Sequence, residues 1–204
     1  MKLVFTGIQG CGKWTQARLL VENHGYRIVE MWTEFRTIAK SDTELGRTIK
    51  SIIDSWKYVD EKLWRQVMKT AIEKQTWDKI IFDGFIRSHW NKEIFDEILP
   101  DYTAVFFELS EEKAKQRLIG RMYNTTTWET FVAWTEVDPE TGEKLVQRKD
   151  DNEEWILSRI QEYVTKTLPV LKEQKEEWKV IEVNADQPIA DVYAELLEKL
   201  ELNK

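Results

Sequence analysis

The segment with the most chemical potential lies near the start of the chain. Gly7-Ile8-Gln9-Gly10-Cys11-Gly12-Lys13-Trp14-Thr15 follows a short apolar run over residues 2–6 and opens a helical pattern from Lys13 to Glu22. Glycines let a backbone curl until successive N–H groups point at one anion. The helix N-terminus adds partial positive charge, and a lysine at this place reaches the β- and γ-phosphates of a nucleotide. Strand before and helix after make the loop a phosphate cradle rather than a plain turn. It departs from the general form G-x-x-x-x-G-K-[ST], because Trp14 follows the lysine and Thr15 comes one residue later.

A second chemical element is Asp83, which closes the apolar run Ile80-Ile81-Phe82-Asp83. A carboxylate at a strand end can orient water on Mg²⁺, or it can cap the turn that follows. Asp150 and Asp151 read as partners that order nearby arginines rather than as metal ligands. His24 and His89 have no partner at a ligand-like spacing and read as structural. Cys11 sits among many N–H groups, a setting that can activate a thiol, but a structural role is the simpler reading.

Composition narrows the class. A chain of 204 residues suggests one compact domain with an insertion. Its 42% apolar content is enough for a sizeable core. A net charge of −7 and a pI near 5.1 argue against a general binder of nucleic acid or of acidic membranes. One cysteine excludes an intrachain disulfide framework and a cysteine-rich zinc site. The first residues carry too few apolar side chains for a signal peptide, and no apolar run approaches the roughly 20 residues of a membrane span. A cytoplasmic protein is the expectation.

The elements that must position these residues come from hydrophobic patterning. Continuous apolar runs at 2–6, 79–82, 103–109 and 179–183 read as strands covered on both faces. Helical patterns separate them. Ser110 is placed as an N-cap with Glu111 and Glu112 in the first turn, where the helix dipole favours acids. Ile189, Val192, Leu196 and Leu200 recur at spacings of three and four and predict one apolar helix face. Strands alternating with helices predict an α/β fold with a parallel sheet. Two stretches break the alternation. Residues 30–59 are helical and are expected to hold no strand. Residues 122–147, with Asp138-Pro139 and Thr141-Gly142, predict small hairpins inserted between two helices, a length of insertion that is often functional.

The loop spacing G-x-x-G-x-G-K-x-T-Q resembles that of the adenylate kinases and their nucleoside monophosphate kinase relatives. Further ordered matches extend the likeness along the chain: Leu45-Gly46 to E-L-G, Asp83-Gly84-Phe85-Ile86-Arg87 to D-G-F-P-R, and Arg117-x-x-Gly120-Arg121 to R-x-x-G-R. Arg148-Lys149-Asp150-Asp151 matches R-x-D-D, and Arg159 falls at a further catalytic arginine. The resemblance implies a phosphate-loop, three-layer α/β fold around a five-stranded parallel sheet. It divides the chain into a core of 1–29, 60–120 and 149–204, a monophosphate-binding segment of 30–59, and a β-hairpin lid of 121–148. It implies reversible, Mg²⁺-dependent transfer of a phosphoryl group from ATP to AMP, giving two ADP, by a monomer.

The same resemblance assigns roles. Gly10, Cys11, Gly12, Lys13, Trp14, Thr15, Arg117, Arg121 and Gln187 would bind ATP, with Arg117 against the base. Met31, Arg36, Gly84, Arg87, Asn91, Arg148 and Arg159 would bind AMP. Lys13, Arg87, Arg121, Arg148 and Arg159 would act on the transferring group, and Asp83 would reach Mg²⁺ through water. Six of the chain's ten arginines fall at these positions. Arginine suits the task because it stays charged and grips phosphate oxygens bidentately. Met31 and Asn91 stand where the family has Thr and Gln, which leaves UMP and CMP, or a broad range, as alternative acceptors. Some relatives bind zinc in the lid through four cysteines; with none here, no structural zinc is expected.

Trp14, Trp32 and Trp56 stand at family glycine positions, and Trp128 and Trp178 sit in turn contexts that favour glycine. The chain has ten Trp and only eight Gly. If the source organism reads UGA as glycine, several of these tryptophans are glycines in the native polypeptide. If they are tryptophan, Trp14 and Trp32 leave open a second class of function, a nucleotide-binding module of low turnover.

Overall fold

In the computed structural model of the chain, the described residues are 1–55, 59–126, 130–131, 134–147, 152–177 and 180–203. Among them are eight strands: β1 (Lys2–Gly7), β2 (Arg27–Glu30), β3 (Ile80–Asp83), β4 (Thr103–Glu108), the two-residue strands β5 (Met122–Tyr123), β6 (Thr130–Phe131) and β7 (Val146–Gln147), and β8 (Val180–Asn184). The helices are α1 (Lys13–His24), α2 (Met31–Ala39), α3 (Glu44–Asp54), α4 (Glu61–Glu73), α5 (His89–Ile98), α6 (Glu111–Leu118), α7 (Glu153–Glu162), α8 (Leu168–Glu177) and α9 (Ile189–Lys199). A π-helical turn, Tyr163–Thr167, joins α7 to α8.

Five strands form a parallel sheet in the order β2-β3-β1-β4-β8. Its central strands, β3, β1 and β4, are apolar on both faces because each face is covered. Along β1, Leu3 and Phe5 belong to one buried cluster with Ala17 and Leu20 of α1, Leu118 of α6 and Leu196 of α9. Val4 belongs to the other, with Phe35 of α2, Val67 of α4 and Phe95 of α5. Each of the Val, Leu and Phe side chains contributes roughly 1.5–3 kcal/mol on burial. Ser110 caps α6, its hydroxyl accepting from the Lys113 N–H.

Patterning missed β2. It has four residues, Arg27-Ile28-Val29-Glu30, charged at both ends, and as an edge strand it pairs only with β3. So short a run does not stand out, and the expectation of no strand in 30–59 is corrected at Glu30, which ends β2. Val192 and Leu196 of α9 and its C-cap Leu200 are buried as expected, but Ile189 is 58% exposed. Ile189 begins the helix, before its inward face has formed, and its carbonyl accepts from Gln16 Nε2.

β5, β6 and β7 form a small antiparallel sheet, order β6-β5-β7, with an isolated bridge between Val137 and Lys144. Among the described residues no helix is long and apolar enough to cross a membrane.

Candidate active site

The winding of the large sheet fixes where a ligand can sit. The chain leaves β1 toward β2 on one side, then returns from β3 to β4 on the other. Ligands bind in the crevice outside the carboxyl ends of strands at such a reversal. Gly7, Glu30, Asp83 and Glu108 mark those ends.

Above β1, Gly10 and Gly12 have φ of 85° and 89°, a conformation that glycine adopts without the Cβ clash. Gly12 is also the N-cap of α1; no side chain caps it, and the first turn holds no acid. The N–H groups that open α1 are therefore free to meet an anion. Lys13 lies across the loop, its Nζ donating to the carbonyls of Gly7 at 2.7 Å and Ile8 at 3.1 Å, and to Cys11 Sγ at 3.4 Å. Cys11 is buried, so the structural reading of the thiol stands. Thr15 follows in the same first turn. Trp14 is half-buried there, and its Nε1 has no hydrogen-bond partner among the described residues.

Arg117, expected at the ATP base, and Gln187, expected among the ATP-binding residues, approach one another from separate elements. Arg117 of α6 reaches Asp186 with its Nη2 3.9 Å from Oδ1, and Gln187 is the next residue. Gln187 Nε2 donates to the Asn184 carbonyl and to Glu195 Oε2, which fixes the β8–α9 turn against α9. The Glu195 carboxyl, which burial alone would raise, is held below its ordinary value by Lys199, the Asn184 N–H and Gln187.

On the other side of β1, five of the seven residues expected at the acceptor, Met31, Arg36, Gly84, Arg87 and Asn91, lie on the segments that follow β2 and β3. Asp83 pairs in register with Phe5 and with Glu30. Gly84 has φ +74°, and a Cβ there would lie 2.9 Å from Arg87 Nη2, so glycine lets the guanidinium fold back over the strand end. Arg36 Nη2 donates to Thr33 Oγ1, which donates to Glu30 Oε2 at 2.7 Å. Burial raises the Glu30 carboxyl above its ordinary value, the Thr33 hydroxyl and Arg36 oppose the rise, and Asp83 adds to it. Met31 and Asn91 are buried in the same region. Ser88 caps α5 and accepts from the Asn91 N–H.

Glu30, Thr33 and Ser88 were not singled out from sequence. Ser88 was findable, as a serine directly before a helical pattern. The Glu30–Thr33–Arg36 chain had no such signal, because its first member ends the strand that patterning missed.

Arg121 leads into β5 and Arg159 lies in the last turn of α7. Their neighbours Leu118 and Ile160 share a core cluster with Ile8 and Cys11 of the phosphate loop. Arg148, Asp150 and Asp151 lie outside the described residues, as do Trp56, Trp128 and Trp178. His24 and His89 take part in ordinary surface contacts. The His24 carbonyl accepts from Lys79, and His89 Nδ1 lies 3.2 Å from Glu173.

For magnesium, the half-buried Asp83 carboxylate has no hydrogen bond or ion pair among the described residues, and no group of three or more His, Cys, Asp or Glu there could hold a metal. That donor set fits a hydrated Mg²⁺ brought by phosphates, which keeps its waters and needs one or two carboxylates. A surface groove lined by Val21, Tyr26, Arg27 and Trp77, where Arg27 stacks 3.6 Å over the indole, lies at the amino ends of β2 and β3. It is the wrong end of the sheet for this chemistry.

An open helix N-terminus under a glycine loop, a bridging lysine and an arginine-bearing crevice at the sheet's reversal define a phosphate-loop phosphotransferase. Comparison with known proteins makes the class specific. The adenylate kinase family model matches residues 5–179. The adenylate kinase of Ureaplasma urealyticum serovar 10 is 32% identical over 215 residues, covering 100% of both chains. The adenylate kinase of Bacillus subtilis strain 168 is 30% identical, covering 98% of each. The chain belongs to the adenylate kinase family, and is a nucleoside monophosphate kinase by that membership.

Proposed function

We propose that the protein transfers the γ-phosphoryl group of ATP to AMP, reversibly and with magnesium, giving two ADP. The observation that carries this reading is the pairing, across β1, of the uncapped α1 N-terminus under Lys13 with the Gly84–Arg87 turn at the end of β3. One half suits a triphosphate and the other a monophosphate. In this reading the main chain of Gly10, Cys11, Gly12, Trp14 and Thr15 holds the triphosphate, and Arg117 and Gln187 flank its base. Arg36 and Arg87 hold the acceptor phosphate, while Met31, Gly84 and Asn91 line its nucleoside. An acceptor phosphate oxygen attacks the γ-phosphorus, the bond to the β–γ bridging oxygen breaks, and ADP leaves with that electron pair. Lys13, Arg121, Arg148 and Arg159 neutralise the charge that spreads over the transferring oxygens. Asp83 would hold magnesium through water, and the ion, when bound, would supply further neutralisation of phosphate charge.

Segment 30–59 would carry the acceptor, and 121–148 would close over the donor to exclude water. A coupled assay with ATP, AMP and Mg²⁺ tests the reading: formation of ADP is expected. Binding of ATP without turnover would replace it with a binding module, the alternative favoured by the indole N–H of Trp14, which has no partner among the described residues.

A further inference from the structure

Two residues outside the expected site account for the direction of Arg36. Thr33 Oγ1 accepts from Arg36 Nη2 at 3.0 Å and donates to Glu30 Oε2 at 2.7 Å. Chemistry fixes the order of the three. A guanidinium only donates and an ionised carboxylate only accepts, so the group between them must do both, as a hydroxyl does. Its single proton goes to Glu30, and a lone pair serves Arg36.

Helical spacing brings the three into line. Glu30 is the N-cap of α2, and Thr33 and Arg36 follow at intervals of three, on one face of the helix. A helical side chain leans toward the N-terminus of its own helix. The Arg36 guanidinium is thereby drawn back toward the carboxyl end of β2, where Glu30 pairs in register with Asp83 of β3. Met31 and Phe35 of α2 are buried in the core, so the helix that carries this chain of bonds is itself seated. Holding a rotamer-rich arginine in place before a ligand arrives removes an ordering cost from binding.

We propose that Thr33 and Glu30 are positioning residues for the acceptor phosphate: Glu30 orients the Thr33 hydroxyl, and Thr33 orients the Arg36 guanidinium. This rests on the phosphotransferase reading above and adds two residues to its acceptor half.

The test is kcat, KM for AMP and KM for ATP with Mg²⁺, together with AMP affinity by calorimetric titration, on the full chain. Thr33→Val keeps the branched shape and removes both hydrogen bonds. KM for AMP is expected to rise about tenfold, with KM for ATP and the thermal midpoint near wild type. Thr33→Ser keeps the hydroxyl and is expected to restore KM for AMP close to wild type. Glu30→Gln, which keeps an accepting oxygen, is expected to weaken AMP less than Glu30→Ala; equal losses would remove Glu30 from the role. In an Arg36→Met background, Thr33→Val is expected to change AMP affinity by less than about twofold, because its effect runs through the arginine. A tenfold loss that persists in that background overturns the proposal, as does a serine no better than valine. ADP formation with an unmoved KM for AMP in Thr33→Val overturns the positioning alone. AMP affinities that follow the expected pattern without any ADP formation overturn the phosphotransferase reading and leave the positioning in place.

Discussion

Asn124 and Asp138 hold the small sheet together from the inside: Asn124 Nδ2 donates to Asp138 Oδ2 at 2.7 Å, and both side chains are buried. Asp138 Oδ1 takes the N–H groups of Glu140 and Thr141, while Asn124 also reaches Thr141 Oγ1. So short a set of strands has little apolar core, and this polar cluster ties its turns together. Burial alone would raise the Asp138 carboxyl, but these hydrogen bonds outweigh it and hold the group below its ordinary value.

The consequence for pH follows from the sign. A carboxyl lowered by folding contributes stability that is present above its unfolded value and is lost as pH falls through the folded one. Asp138→Ala removes the acceptor and leaves three N–H groups without it. Proteolysis within 122–147 at pH 7 is expected to become on the order of tenfold faster. Acidifying the wild type is expected to reproduce that sensitivity, and the variant should show no further acid dependence from this site. Equal cleavage of the two proteins at pH 7 would remove Asp138 from the role.

Trp134 enters the same sheet with φ +66° and 75% of its surface exposed. A left-handed backbone costs a residue with Cβ about 1–2 kcal/mol, and an indole this exposed returns little packing. Trp134→Gly is expected to raise stability by about 0.5–1 kcal/mol after glycine's larger chain entropy is subtracted. Trp134→Ala keeps the Cβ and should give no such gain. Urea denaturation of the three proteins separates these outcomes, and a gain with alanine equal to that with glycine would refute the argument.

Much of this was legible in the residues. β1, β3, β4 and β8 announced themselves as runs buried on both faces, and Ser110 and the glycine loop carried local geometry in their own chemistry. The arginines were different. Nothing local distinguishes Arg36 or Arg117 from a surface arginine such as Arg18, which pairs with Glu22 one turn away. Only ordered spacing shared with a family singled them out. What stayed hidden depends on contacts distant in sequence. Glu30 meets Asp83 because β2 joins the sheet edge, and Trp64 meets Phe35 and Trp90 because three helices converge.

Trp14 places an indole in the first turn of α1, beside the N–H groups that would take the phosphates, and its own buried N–H has no partner among the described residues. Trp14→Gly removes that orphan donor and opens the approach to the loop. ATP affinity is expected to rise about tenfold, equivalent to about 1.4 kcal/mol, by calorimetric titration. If UGA encodes glycine in the source organism, the intact mass of protein from its native host will be lower by one Trp-to-Gly difference at each such site. A native mass matching the tryptophans, together with unchanged affinity in the variant, would refute both statements.

Arg121 is the arginine whose removal best isolates chemistry from folding. It is half-buried at the start of β5, outside both apolar clusters of the sheet. An arginine placed on the transferring phosphoryl group contributes about 10³–10⁵ in rate. Arg121→Ala is therefore expected to lower kcat by at least about 10³ while the thermal midpoint shifts by only a few degrees. If it acts on the transition state alone, KM for AMP stays near wild type, because ground-state binding of the acceptor does not use it. A rise in KM with kcat preserved would make Arg121 a binding residue instead. Near-wild-type turnover would remove it from the site.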